Sequence, residues 1–229
     1  MAITKIIRKA EPITIILLHA GLTRRMKKGP RALLEIDGEK LISRQIKSLH
    51  RTFPYAEFIT VLGYGMDAIC DFIPSFVRCI ENENYENTNV SRSLAIGLKA
   101  TTTSKVLVIY GDMVFTRATF TLPDKSSIFL DKKGKNDSVG VNLENNKVVH
   151  LSYASKVKWG HSFFLCDREL SLMKKLCYNR ENNKHYGHEI INMSIDLGAE
   201  FWAVNTMGPL IELDTLSDII KLRLCEEKI

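Results

Sequence analysis

The sequence predicts an α/β fold, a mixed and mainly parallel sheet flanked by helices, and three observations carry that prediction. Short apolar runs rich in Ile, Val and Leu recur through residues 13–110, as buried parallel strands require. Segments with apolar residues at helical spacing stand between them, which is the alternation of a βαβ chain. Two of the runs end in small-residue turns, His19-Ala20-Gly21 and Gly111-Asp112, and open α/β sheets take their ligands at the carboxyl ends of strands.

The elements follow in order. Ile13 to Leu18 reads as a buried strand, Leu41 to Phe53 as an amphipathic helix whose apolar face is Leu41, Ile42, Ile46, Leu49 and Phe53, and Phe58 to Leu62 as the next strand. After Gly63-Tyr64-Gly65 a short helix, Met66 to Ile73, is stopped by Pro74, and Phe76 to Ile80 supplies a third strand. Thr88 or Asn89 caps a helix running to about Ala100, and Lys105 to Tyr110 is the fourth strand. Beyond it the strand directions are expected to mix. Ser138 to Leu143 and Lys147 to Ser152 form a hairpin around Glu144-Asn145-Asn146, and His161 to Cys166 precedes a helix from Asp167 to about Cys177. A polar run, Tyr178 to His185, leads to a helix from His188 to Leu197, a strand from Phe201 to Val204, and a final helix from about Thr215 to Glu226.

With 229 residues, 45% hydrophobic and 25% charged, the chain has the size of one large domain, residues 1–229. No apolar run approaches the roughly 20 residues of a membrane helix, and Met1-Ala2-Ile3-Thr4-Lys5 lacks a signal-peptide core, so the expectation is a cytoplasmic protein without membrane insertion. The five cysteines, Cys70, Cys79, Cys166, Cys177 and Cys225, stand singly and suggest neither a disulfide framework nor a zinc site. His185, His188 and Glu189 share one short segment, but no second ligand pair joins them. Residues 1–51 hold twelve Lys/Arg against four Asp/Glu, a net charge of +8, while the rest of the chain nets −2. A basic surface attracts nucleic acid without specificity, but no helix-turn-helix, zinc-finger or RNA-recognition motif sharpens that reading, and nucleic acid is not expected as a partner.

The positive charge converges on one stretch: Leu17-Leu18-His19-Ala20-Gly21-Leu22-Thr23-Arg24-Arg25-Met26, then Pro30-Arg31-Ala32-Leu33-Leu34. Ala20 and Gly21 let the backbone approach a ligand, Thr23 offers a hydroxyl, and Arg25 and Arg31 offer planar forks matched to phosphate oxygens. A solvated basic loop after a buried strand would be the bland alternative. The pattern A-G-x-[ST]-x-R-M followed by P-[KR]-x-L resembles instead the signature of nucleotidyltransferases of the GT-A-like, Rossmann-like fold, the MobA-like and sugar nucleotidyltransferase-like enzymes. A second stretch, Asn84-Tyr85-Glu86-Asn87-Thr88-Asn89-Val90-Ser91-Arg92-Ser93-Leu94, resembles the N-x-x-Y-x-x-T-N-x-x-x-S-L segment of the small cytidylyltransferases acting on choline phosphate. A third, Ile211-Glu212-Leu213-Asp214-Thr215-Leu216-Ser217-Asp218, resembles the E-I-D-T-x-x-D-L segment that closes the site in small members of the family.

The resemblance implies transfer of a nucleotidyl group to a phosphorylated small-molecule acceptor, with pyrophosphate leaving. Residues 13–112 would bind the NTP, 113–210 the acceptor, and 211–229 would close the site. Arg25, Arg31 and Asp112 would act at the reacting phosphates. Ala20, Gly21, Thr23, Asn89, Ser93 and Gly111 would hold the nucleotide, CTP being favoured, and the helix after Asn89 could receive an anion at its N-terminus. Asp112 and Asp214 would share Mg²⁺. Both have structural alternatives, Asp112 as a turn residue and Asp214 as a helix cap. Trp159 and Glu189 are assigned to the acceptor pocket, where aromatic rings would suit a trimethylammonium group. A sugar-1-phosphate or molybdenum-cofactor nucleotidyltransferase and a catalytically silent nucleotide-binding protein are the alternatives, and a homodimer is compatible with either. The chain departs from the pattern at Arg31, where relatives carry lysine, at His19, where they carry a small residue, and at Leu22 and Arg24, which crowd the loop.

Overall fold

The structure, a computed structural model, describes residues 12–22, 29–116, 119–131, 137–213 and 218. Its first half runs β1 (Thr14–His19), a small hairpin of β2 (Glu35–Ile36) and β3 (Glu39–Lys40), α1 (Leu41–Thr52), β4 (Glu57–Leu62), α2 (Met66–Cys70), β5 (Val77–Glu81), α3 (Val90–Ala100) and β6 (Lys105–Tyr110). The second half adds β7 (Met113–Phe115), β8 (Ser127–Asp131), β9 (Gly140–Glu144), β10 (Lys147–Ser152), β11 (Val157–Cys166), α4 (Asp167–Tyr178), α5 (Gly187–Asp196), β12 (Phe201–Asn205) and β13 (Leu210–Glu212).

One nine-stranded sheet in the order β5-β4-β1-β6-β11-β8-β12-β10-β9 runs through both halves. β5, β4, β1 and β6 are parallel. β11 is antiparallel to both β6 and β8, and β12 returns parallel to β8, so the sheet is mixed as expected. The start of β11 also pairs with β9, which closes β11, β8, β12, β10 and β9 into a circuit. Because helices cover both faces, the central strands are apolar along most of their length. Ile15 and Leu17 pack with Ile42, Ile46 and Leu49 of α1 on one face. Ile16 packs with Leu94 and Leu98 of α3 on the other, where α4 and α5 continue the layer.

The expected elements fall into place within a few residues, with four differences. The helix after Gly65 ends at Cys70 rather than Ile73. β11 begins at Val157, four residues before the expected start at His161, because a bulge separates its two stretches. The polar run after α4 forms a 3₁₀ turn, Arg180–Lys184, in which Asn179 accepts a hydrogen bond from the Glu181 N–H. β7, β8, β13 and the β2–β3 hairpin have no counterpart among the expected elements. The β9–β10 hairpin does turn at Asn145 and Asn146, both at positive φ (50° and 65°), as a tight turn between twisted strands demands. The expected final helix from Thr215 lies outside the described residues apart from Asp218.

Candidate active site

β1 and β6 lie side by side and in register, Leu18 opposite Tyr110, so their carboxyl ends deliver His19-Ala20-Gly21 and Gly111-Asp112 to one place. A cleft of about 410 Å³ opens there, within the range of small-molecule sites. Ala20, Gly21, Arg31, Asn89, Ser93, Gly111 and Asp112 all line it. A side chain at Gly21 would project into open space, so the backbone there is bare toward the cleft. Thr23, Arg25 and Asp214 lie outside the described residues.

Asp112 follows β6 and sits opposite Arg31, whose Nη1 donates to its Oδ2 at 2.6 Å. Both side chains are largely buried, with 22% and 17% exposure, so the pair is a charge-assisted bond sheltered from solvent screening. Arg31 opens a short 3₁₀ turn, Arg31–Leu33, held at its start by the Leu33 N–H bond to the Pro30 carbonyl. The turn after β6 is clamped from behind. Gln45 of α1 donates to the carbonyls of Met113 (2.7 Å) and Gly111 (3.4 Å) and meets His19 Nε2 through its Oε1 at 2.8 Å. Burial drives the His19 imidazole down to about 4, against the opposing influence of the Gln45 bond and the Asp112 charge, so the ring is neutral at pH 7. Gly111 lies so close that a Cβ there would collide with the His19 ring. The bulky residue at position 19 is thus accommodated by the absent side chain at 111.

On the opposite wall Asn82, at the end of β5, donates to Thr88 Oγ1 (3.2 Å) and Ser93 Oγ (3.1 Å), and Tyr85 stands beside them. The polar string that the sequence singled out is a knitted wall rather than a row of free donors. Asn89 is the N-cap of α3, its Oδ1 accepting from the Val90 N–H at 2.9 Å. The Ser91 and Arg92 N–H groups are taken by the His185 and Asn89 carbonyls. The α3 N-terminus is therefore satisfied by the protein, which corrects the expectation that it receives an anion.

The two acceptor-side candidates have structural partners. Trp159 is 4% exposed, its indole N–H donates to the Ser162 carbonyl at 3.1 Å, and it packs edge-on behind Tyr110. Glu189 Oε2 accepts from the Tyr186 N–H at 2.6 Å and completes the capping box of α5. Neither lines the cleft, whereas Tyr110 and Tyr186 do. Burial and the neighbouring Asp112 carboxylate push the Tyr110 phenol well above its usual range, so its hydroxyl stays protonated.

Among the described residues, the grouping able to hold a cation is Asp112, His161 and Glu212, with one ligand atom of each within 4.8 Å of the others. β13 brings Glu212 opposite Met113, and the Leu213 N–H donates to the Asp112 carbonyl at 2.8 Å. Glu212 and His161 escaped the sequence reading. The first sits inside the recognised segment, two residues before Asp214, and the second on a strand with no motif. Asp112 Oδ1 and His161 Nδ1 are buried with no hydrogen-bond partner among the described residues. Two carboxylates and an imidazole, with an orphaned buried atom on Asp112 and on His161, form a donor set that fits a divalent cation.

Residues 15–122 match the family described as the MobA-like NTP transferase domain. No protein with a curated description matches the chain in sequence. The fold is similar to that of the CTP:phosphocholine cytidylyltransferase of Streptococcus pneumoniae, with a TM-score of 0.75 at 19% identity over 93% of this chain and 98% of that one. It is similar to the inositol-1-phosphate CTP transferase of T. maritima (TM-score 0.75, 16% identity, 92% of each chain). A putative glucose-1-phosphate thymidylyltransferase of Bacillus anthracis also matches (TM-score 0.76, 14% identity, 95% of this chain and 96% of that one). Over residues 15–122 the chain matches the model of the MobA-like NTP transferase domain, and its fold as a whole is similar to that of nucleotidyltransferases.

Proposed function

We propose that the protein is a cytoplasmic, Mg²⁺-dependent cytidylyltransferase that joins CTP to a phosphorylated alcohol of the phosphocholine kind. The observation that carries this reading is the cleft: the Ala20-Gly21 backbone, the Arg31–Asp112 pair and the Asn82-Thr88-Ser93 wall face one space. Its wall of short amide and hydroxyl groups suits the hydrogen-bonding edge of a pyrimidine.

In the reaction an acceptor phosphate oxygen attacks the α-phosphorus of CTP, a new P–O bond forms, and the bond to pyrophosphate breaks in line. Both reactants are anions, so the protein's work is to hold them and neutralise charge. Bare N–H groups at Ala20-Gly21, with Thr23 and Arg25 from the same loop, hold the triphosphate. Arg31 leans over the α-phosphate while keeping its hold on Asp112. A divalent ion on Asp112, shared with Asp214, would supply further charge neutralisation at the phosphates. Gln45 and His19 keep the Asp112 turn from shifting as charge moves. Tyr110 and Tyr186, backed by Trp159, face the acceptor's head group, where ring faces attract a quaternary ammonium.

A second reading is favoured by one observation: Arg31 already occupies Asp112 Oδ2, as in a protein that binds nucleotide without turnover. Thermal shifts with the four NTPs and Mg²⁺, then pyrophosphate release from the tightest binder with a panel of phospho-alcohols and sugar-1-phosphates, separate the readings. CTP-selective stabilisation with turnover on a phospho-alcohol is expected. Stabilisation with no turnover on any acceptor would leave the binding protein.

A further inference from the structure

We propose that Cys70 and Cys79 form a dithiol modification site, which peroxide closes into a disulfide between α2 and the edge strand β5, with Cys70 as the attacking sulfur. The proposal stands apart from nucleotidyl transfer, and a covalent bond rather than turnover decides it.

Three features of the fold bring the two sulfurs together and open them to a reagent. The first is the alternation of β5. Val77 and Cys79 pack with the cluster that α1 and α2 cover, whereas Ile80 packs on the α3 side, so the Cys79 side chain points to the face on which α2 lies. Ile69 and Cys70, which end α2, pack in that same cluster.

The second is the connection between the two elements. The Ile73 N–H donates to the Cys70 carbonyl at 3.1 Å and the Val77 N–H to the Pro74 carbonyl at 3.0 Å, so two successive turns reverse the chain. Ser43 of α1 fixes the crossing, its Oγ donating to the Phe72 carbonyl at 3.0 Å. Cys79 is thereby led back along the end of α2, and the Cys79 S–H donates to the Cys70 sulfur. Nine positions separate the two cysteines in the chain, a spacing that belongs to no short thiol motif.

The third is access. β5 is an outer strand of the nine-stranded sheet and pairs there with β4 alone. Cys70 and Cys79 are half-buried, whereas Cys166 and Cys177 are 2% and 1% exposed, so an oxidant arriving from solvent meets the pair first. Cys225 lies outside the described residues.

The contact also assigns the roles. Burial, and then the neighbouring Cys70, push the Cys79 thiol up to about 11, so Cys79 keeps its proton at neutral pH and the first attack falls to Cys70. The Cys70 sulfur bonds to one peroxide oxygen, the O–O bond breaks, and the departing hydroxide takes up the proton that Cys70 released. The Cys79 sulfur then attacks the Cys70 sulfenic acid. An S–S bond forms, the S–O bond breaks, and the hydroxyl leaves as water with the Cys79 proton. Two thiols are oxidised, one peroxide is reduced to two waters, and a thiol reductant reverses the bond.

The bridge would fall on a support of the cleft. α2 follows Gly65, where a Cβ would collide with Pro30, and the Tyr64 N–H donates to the Ala20 carbonyl at 3.3 Å. The disulfide thus ties to β5 the element against which the Arg31 turn and the Ala20-Gly21 backbone rest.

The test is peroxide oxidation of the reduced full chain carrying Cys225→Ser, read by mass and by peptide mapping without reductant. The protein should lose the mass of two hydrogens, and the map should join the segments that hold Cys70 and Cys79. Dithiothreitol should restore both thiols. Cys79→Ser should stop at a sulfenic acid that dimedone traps on Cys70. In Cys70→Ser, the Cys79 thiol should be consumed at least about tenfold more slowly than the Cys70 thiol is in the parent. Mapping and dimedone trapping on the unsubstituted pair decide the matter even where a serine variant fails to fold. Two intact thiols at a peroxide dose that oxidises free cysteine, a bridge to any other cysteine, or a sulfenic acid trapped on Cys79 instead of Cys70 overturns the proposal.

Discussion

Arg31 Nη1 lies 2.6 Å from Asp112 Oδ2, and this pair joins the cationic segment after β1 to the carboxyl end of β6. The residues are 81 positions apart in the chain, yet both line one cleft. Whatever binds there meets an arginine and an aspartate that already balance each other.

Asp112→Asn keeps the shape and removes the charge. Turnover should fall by at least about a hundredfold, the scale of losing one charge contact in the transition state, while the thermal midpoint moves by a few degrees at most. Pyrophosphate release and a thermal melt measure the two. Normal turnover would make Asp112 a turn residue.

Arg31→Lys should retain turnover within about tenfold, because an ammonium can replace the Nη1 bond to Asp112 and still face phosphate. Arg31→Ala should lower kcat by about a hundredfold or more and leave the aspartate's charge uncompensated. Equal activity of parent and alanine variant would strip Arg31 of a role in the reaction.

Arg25→Ala should weaken NTP binding by about 1.5–3 kcal/mol, the worth of a charge-assisted contact. Calorimetric titration with CTP measures it, and an unchanged affinity would contradict the role assigned to the cationic loop.

His19 gives the fold a pH dependence of known sign. Its imidazole is held at about 4 in the folded protein and returns to about 6.5 when the chain unfolds. The unfolded state therefore binds the extra proton first, so this contribution to stability is complete above pH 6.5 and is lost as pH falls toward 4. The full loss is on the order of 3 kcal/mol. Urea unfolding of parent and His19→Gln at pH 7 and pH 4.5 should show the parent losing more stability than the variant over that interval.

Gln45→Leu leaves the Met113 carbonyl and the His19 ring without their partner. A cost of about 2–3 kcal/mol is expected from the stranded polar groups. Because the clamp acts on the Asp112 turn rather than on the Asn82-Thr88-Ser93 wall, kcat should fall while the KM for NTP changes little. A fall in stability alone would make the clamp purely structural.

The sequence displays β1, α1 and β6 because strands buried on both faces and a helix with one apolar face leave periodic traces. The turns after β1 and β6 carry small residues and charge, so Ala20, Gly21 and Asp112 could be picked out before their proximity was visible. Other features leave no such trace. β8 is only five residues, Ser127–Asp131, and a run that short has no periodicity to separate it from a buried loop. Trp159 reads as a pocket aromatic, but whether it faces a ligand or supports Tyr110 depends on the bulge beside it. His161 depends on that same backbone departure, which no spacing of side chains records. Glu189 carries the capping-box spacing from Tyr186, but a tyrosine is not the usual cap and hides the signal.

β13 stands outside the nine-stranded sheet and pairs only with β7 among the described strands, bringing Glu212 to Asp112 from a hundred residues later in the chain. Chains are synthesised from the N-terminus and fold progressively, so the parallel strands and the carboxylate after β6 leave the ribosome long before Glu212 does. Every described residue that lines the cleft, Leu18 to Tyr186, thus precedes Glu212 in the chain. The negative cluster is completed only when β13, which follows every strand of the nine-stranded sheet in the chain, reaches β7.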